Sequence, residues 1–204
     1  MRLRQIVIIV IAFVFASPTF ADEKKEAMFG LNWGMTPKAI SSLGITLIKV
    51  KEEKNFQDYS TESLPKNLSD IEKYYLVFSD DKLVKIIASC KNITNDPTGS
   101  DGKERFDVLN KSLQDKYGTP THKFQYNGRK LFKEYDEFYE CLRYAGCGNW
   151  ACGYEKPTKV IVLELKGLSR GTGYISLQVE AVPEWGDALN KFKSIKNKSD
   201  ADAM

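Results

Sequence analysis

The side chains best suited to chemistry in this chain are two close carboxylates, a lone imidazole and four thiols. In FKEYDEFYE, Glu134 and Asp136 stand two residues apart. On a strand that spacing puts both on one face roughly 7 Å apart, which suits paired acid and base on a glycosidic bond. Tyr135, Phe138 and Tyr139 would then offer stacking surfaces for a carbohydrate. The same alternation of acid and aromatic residues also describes a half-exposed edge strand, so a glycan hydrolase is the weaker reading. His122 is the only histidine, which excludes multi-histidine metal centres, and its place in THKFQY at a strand start suits a surface imidazole. No HExxH, GxSxG, P-loop or helix-opening GxGxxG occurs. Gly171 and Gly173 in SRGTG lie between two β-rich runs and read as a hairpin turn, not a phosphate cradle. The sequence therefore assigns no catalytic residue, no metal and no cofactor.

The thiols must be read with the compartment. Arg2 and Arg4 precede an apolar run over residues 6–16, followed by Ser17, Pro18 and Ala21 just before Asp22. That is the pattern of a signal peptide, residues 1–21. The run is about half the ~20 apolar residues a membrane span needs. The first cysteine is Cys90, so none follows the cleavage point to carry a lipid. The mature chain is expected in the periplasm or outside the cell, with no stable membrane anchor. Cleavage removes two arginines and no acid, leaving 28 basic against 27 acidic side chains and a net charge of +1. So even a balance gives little drive toward nucleic acid.

In an oxidising compartment, Cys90, Cys141, Cys147 and Cys152 read as two disulfides. Four cysteines allow three pairings and the sequence does not choose among them. The preferred one joins Cys147 to Cys152 and Cys90 to Cys141. A zinc site is disfavoured because the spacings lack a C-x2-C knuckle. Three of the cysteines fall in CLRYAGCGNWACGY, whose Arg143, Tyr144, Trp150 and Tyr154 are of the types that concentrate binding energy. A disulfide would lower the cost of ordering them. These four residues form the candidate binding site; the structural alternative is that the bridges stabilise a long connection and the aromatics cap the core.

The elements that would position this segment can be read in order. Thr36, Pro37 and Gly44 bracket a short helix over 37–43. Residues 45–51 are β-branched, whereas 52–70 read as loop or irregular strand. Residues 73–90 form a hairpin, with Val84, Ile86, Ala88 and Cys90 on one face. After a linker over 95–102, Asp101 and Glu104 give a capping-box spacing. Phe106, Leu109, Leu113 and Tyr117 mark the helix that follows, and Gly118 and Pro120 end it. Asn127-Gly128 predicts a tight hairpin between KFQY and RKLFKEY. KVIVLELKG and YISLQVEAV predict another, with Ile175, Leu177, Val179 and Ala181 on one face. Residues 185–196 read as a closing helix, and SDADAM should fray. Lys191, Lys193, Lys196 and Lys198 around Leu189, Phe192 and Ile195 could rest on an anionic membrane, but a packed helix with a solvated face is favoured. Trp33 reads as packing more readily than as a ligand platform.

The expected fold is α+β: antiparallel hairpins with short helices on one face, in two tandem helix-plus-sheet units over 22–95 and 96–204, the second holding the Cys-rich loop and C-terminal helix. The opening FGLNWGMTP, residues 29–37, and the later DKYGTP, residues 115–120, resemble small exported bacterial proteins. Their layout is similar to the tandem helix-plus-sheet plan of outer-membrane assembly lipoproteins and β-lactamase inhibitor proteins. That resemblance implies a non-catalytic envelope protein whose partner is another protein, such as an inhibitor or immunity protein. An envelope-maintenance factor contacting the membrane or membrane proteins is the alternative. The absent lipid-bearing cysteine departs from the lipoprotein members.

Overall fold

Apolar residues at every second position organise the chain into strands, and a computed structural model describes residues 26–128 and 131–202. The expected signal peptide, residues 1–21, lies outside the described residues. Eight strands form one antiparallel sheet: β1 Ile48–Glu53, β2 Phe56–Thr61, β3 Ile71–Ser79, β4 Lys82–Cys90, β5 His122–Tyr126, β6 Asn149–Lys156, β7 Lys159–Ser169 and β8 Thr172–Ala181. Their order across the sheet is β1-β2-β3-β4-β8-β7-β6-β5. The helices are α1 Pro37–Ser41, α2 Ser100–Tyr117, α3 Phe138–Arg143 and α4 Glu184–Asp202. The fold is thus α+β. α1 is followed by β1 to β4, and α2 by β5 to β8 with α3 inserted after β5; the last strand of each series, β4 and β8, meet at the sheet centre in register from Lys85↔Glu180 to Ser89↔Ser176.

One face of this sheet carries the core. Tyr74, Leu76 and Phe78 on β3, Ile86 and Ala88 on β4, Ile161 and Leu163 on β7, and Ile175 and Leu177 on β8 are all buried. Ile40 of α1, Phe106 and Leu113 of α2, and Phe138 and Tyr139 of α3 close over them in a single cluster. Removing such side chains from water is the main favourable term in folding, each worth roughly 1.5–3 kcal/mol. The helices α1 to α3 therefore lie on that face. The fourth, α4, runs past the hairpin ends and lays Trp185 and Phe192 on either side of Phe56, with ring centroids 5.5 and 5.6 Å away, on the other face.

Local signals explain most boundaries. The Thr36 hydroxyl accepts from the Ala39 N–H at 3.1 Å, Pro37 opens α1, and Gly44 turns the chain at φ +82°. The cap of α2 differs from the capping-box expectation. The helix starts at Ser100, so Asp101 already lies inside its first turn. Asp96 supplies the cap instead, accepting from the Gly102 N–H at 3.0 Å and the Ser100 hydroxyl at 3.2 Å. The polar stretch expected to be irregular contains β2, paired from Phe56↔Ser79 to Thr61↔Tyr74. The helix after Pro183 continues to Asp202 because nothing past Gly186 breaks it, so residues 199–202 are helical where fraying was expected.

The Asn127-Gly128 hairpin does not form. The partner of β5 is β6, in register from His122↔Gly153 to Tyr126↔Asn149. Arg129 and Lys130 of RKLFKEY lie outside the described residues, and residues 131–137 are irregular. The physical reason lies just downstream: Phe138 and Tyr139 are almost wholly buried as the start of α3, which takes this stretch off the sheet and under its end.

Candidate binding site on the open sheet face

The Cys-rich segment is built around one disulfide. Cys141, on α3, bonds to Cys147, with Cα atoms 5.1 Å apart. Cys90 and Cys152 are buried free thiols, which corrects both the two-bridge expectation and the preferred pairing of Cys147 with Cys152 and Cys90 with Cys141. Cys90 is on β4 and Cys152 on β6, with β8 and β7 between them. Three strand spacings amount to about 14 Å, twice the span a disulfide can bridge. Cys152 instead turns toward α2, its Sγ 3.0 Å from the Asn110 side-chain oxygen. Burial pushes its thiol up to about 11 and raises that of Cys90 as well.

What holds α3 in place is a buried polar tie. The Tyr139 hydroxyl donates to the Asp96 carboxylate at 2.8 Å, joining α3 to the cap of α2. Burial opposes the charge on Asp96. Hydrogen bonds from the Gly102 N–H, the Tyr139 hydroxyl, the Asp101 N–H and the Ser100 hydroxyl outweigh it and hold the carboxyl below its usual range. Two glycines let α3 press onto the β7–β8 hairpin. A Cβ on Gly167 would lie 1.9 Å from the Tyr139 carbonyl oxygen, and one on Gly173 2.2 Å from its ring. Gly171 alone serves the turn, at φ +68°.

This scaffold divides the four expected binding residues. Tyr154 is fully buried and its hydroxyl donates to the Asn110 side-chain oxygen at 2.6 Å, so it is a core residue and not a contact. Trp150 packs edge-on against Phe138, 5.6 Å between centroids, beneath Lys103 on the helix side, and its indole N–H has no partner among the described residues. Tyr144 is half exposed beside Phe132. Arg143 pairs with Glu140 at 3.1 Å and donates to the Leu168 carbonyl at 3.4 Å. Arg143 and Tyr144 therefore stand at the rim of the sheet.

Beyond Leu168 lies the sheet face that α1 to α3 leave uncovered. A hollow of about 370 Å³ there is bordered by Leu168, Tyr75, Ile87, Tyr174 and Ser176. A second, of about 430 Å³, is lined by Phe124, Ala151, Val160, Val162 and Glu164 toward the β5 edge. A third, of about 230 Å³, lies under α4 among Phe56, Val77, Lys85, Trp185 and Phe192. Charges on this face are largely paired within it: Lys85 with Glu180 at 2.7 Å, Lys166 with Glu164 at 2.8 Å and His122 with Glu155 at 3.1 Å. It is a mixed surface, with apolar side chains set among polar ones and compensated charges. The residues that make it were not singled out by composition, yet a signal existed. In KVIVLELKG the positions facing away from the core include Val160 and Val162, where a solvated antiparallel face would carry polar side chains.

The other chemical candidates separate. Glu134 and Asp136 do not share a strand face, since no strand forms there; Asp136 is held by Arg170 at 3.1 Å. Tyr135 is 80% exposed while Phe138 and Tyr139 are buried, so no stacking platform accompanies the acids. Trp33 packs on the core edge and its indole N–H also has no partner among the described residues. Among those residues no cluster of three metal-binding side chains occurs, and no helix is long and apolar enough to cross a membrane. Compared with known proteins, the chain matches no protein family, no curated protein and no solved structure.

Proposed function

We propose that the mature chain is an exported, non-catalytic protein that binds another protein through the open face of its sheet and the Arg143–Tyr144 rim, and blocks that partner as an inhibitor or immunity protein does. The observation that carries this reading is the face itself. Leaving aside β1 and β2, where α4 packs on Phe56, the other six strands span five spacings, about 24 Å, and strands of five to eleven residues give a footprint on the order of 700 Å², to which the Arg143–Tyr144 rim adds. A stable protein interface takes about 800 Å² per partner. Half-exposed aromatic and aliphatic side chains at its centre, with paired charges around them, match the apolar core and polar rim of such interfaces. The signal-peptide pattern and the Cys141–Cys147 bridge support export.

The membrane-contact reading is weaker on geometry. Of the apolar residues of α4 that would anchor it, Phe192 packs on Phe56 beside Trp185, which leaves Ile195 as the exposed one, and Lys191 pairs with Asp80 at 2.7 Å. The deciding experiment compares the wild-type chain with Val162→Glu/Tyr174→Glu in capture from envelope extract, followed by reconstitution with the purified partner. Both chains should show the same circular dichroism and melting temperature. A stoichiometric protein held by the wild type and lost by the variant is the expected result. A partner held equally by both, or no protein partner at all, would overturn the proposal.

A further inference from the structure

On the opposite, helix-bearing side, a hollow of about 240 Å³ opens between α2, the N-terminal segment and the sheet. Its walls are Met28, Phe29, Leu68, Leu109, Leu113 and Tyr117, and its floor is Leu177 of β8. An apolar cavity of even ~150 Å³ stays dry and takes up hydrocarbon. At about 240 Å³ this one is smaller than the ~300–1,000 Å³ of most small-molecule pockets, so it has room for a small apolar group such as one alkyl chain.

The mouth is cationic. Lys66 and Lys116 both line it, both are exposed, and neither has an ion pair among the described residues. Behind Tyr117 the charge continues. Lys156 donates to the Tyr117 carbonyl, and Lys159, 92% buried, donates to the Ala27 carbonyl with its ammonium 5.9 Å from the Tyr117 ring. Glu26 is the carboxylate whose field reaches Lys159, and Lys116 opposes it. An apolar slot with surplus positive charge at its opening is complementary to an amphiphile with an anionic head.

We propose that this hollow binds the tail of an unbranched alkyl carboxylate, with Lys66 and Lys116 holding the carboxylate at its mouth. The site is independent of the open-face reading, because the sheet separates the two. Leu177 points into the hollow while its neighbours Ser176 and Gln178 point away from it.

The test is calorimetric titration of the full mature chain with octanoate, decanoate and dodecanoate below their micellar concentrations, with 1-decanol as the uncharged control. Binding should be one to one. Kd should fall ~fourfold per added methylene until the hollow is full and then level off. Lys66→Gln/Lys116→Gln, two surface changes, should weaken decanoate about tenfold and leave decanol unchanged. Ser112→Trp, at the exposed rim, should block both ligands with the melting temperature retained. Absence of saturable binding, equal loss of decanoate and decanol in the lysine variant, or full binding by a folded Ser112→Trp would each overturn the assignment.

Discussion

Replacing Asp96 should weaken the molecule far more than its place in a connecting segment suggests. Its carboxylate is 3% exposed and accepts from the Tyr139 hydroxyl at 2.8 Å, the Gly102 N–H at 3.0 Å and the Ser100 hydroxyl at 3.2 Å. Asp96→Ala removes a helix cap worth about 1 kcal/mol. It also strands the buried Tyr139 hydroxyl at a cost of about 1–3 kcal/mol. A total near 3 kcal/mol is a large share of the ~5–15 kcal/mol by which domains are stable. Tyr139→Phe keeps the ring against Gly173 and loses only the charge-assisted bond, about 1.5–3 kcal/mol. Because both changes remove the same bond, the double variant should be less destabilised than the sum, by about 1.5 kcal/mol or more.

The pH dependence adds a second check. Asp96 is held below its unfolded value near 3.9, so its contribution is complete above that value and is lost as pH falls through the depressed folded one. Tyr139→Phe removes one of the donors that depress it, so the loss of stability between those two values should be smaller in that variant and end at higher pH. Urea unfolding followed by circular dichroism at pH 7 and across pH 2–5 measures both effects. An Asp96→Ala midpoint within the equivalent of about 0.5 kcal/mol of wild type, or strict additivity in the cycle, would refute the reasoning.

Three further outcomes test the rest of the scaffold. Closing the short loop between Cys141 and Cys147, six positions apart, is worth about 2 kcal/mol on chain-entropy grounds. Cys141→Ser/Cys147→Ser, or reductant, should therefore lower the melting temperature by roughly 4–8 °C in a scanning calorimeter. Cys90 and Cys152, buried and with raised thiol ionisation, should resist iodoacetamide in the native state; mass spectrometry should show two labels per chain only after denaturation without reductant. Gly167→Ala must push aside the Tyr139 backbone 1.9 Å from the new Cβ, so its urea midpoint should drop by the equivalent of about 2–3 kcal/mol, whereas Gly186→Ala, with open space around it, should not destabilise.

The strands and long helices of this fold are legible in sequence where one face is buried and the period is regular. β3 with β4 and β7 with β8 carry apolar residues at every second position, and α2 repeats Phe106, Leu109, Leu113 and Tyr117. The Cys-rich region was not legible, because its arrangement is decided at long range. Phe138 and Tyr139 gain burial only by reaching Gly99, Asp96 and Gly173, none of which is near in sequence. The Asn127-Gly128 signal is local and loses to that burial; the Gly128 N–H meets the Cys141 sulfur instead of closing a turn. The same competition explains the sulfur pairing. Cys141 and Cys147 are brought together by the end of α3, while β6 turns Cys152 toward Asn110. The candidate binding residues were legible only in part for a related reason. Aromatic type marks a residue able to bind, but strand parity decides whether it faces water: Trp150 and Tyr154 fall on the helix side, and Val160, Val162 and Tyr174, less conspicuous in sequence, fall on the open one.

That parity also separates the two surfaces proposed for function. Along β8, Ile175, Leu177 and Val179 turn toward the helices, whereas Tyr174, Ser176 and Gln178 turn toward the open face. A single strand thus borders an alkyl-sized hollow on one side and a protein-sized surface on the other. Charge on Tyr174 changes the second without entering the first, and glutamine at Lys66 and Lys116 does the reverse. Such effects should add when combined, as changes without shared partners do. Coupling between them, such as partner affinity that shifts with decanoate, would have to pass through β8 itself, the one strand both surfaces use. Ser176→Val, an apolar replacement at a buried position of the open face, would then alter decanoate affinity; with independent surfaces it leaves that affinity within twofold.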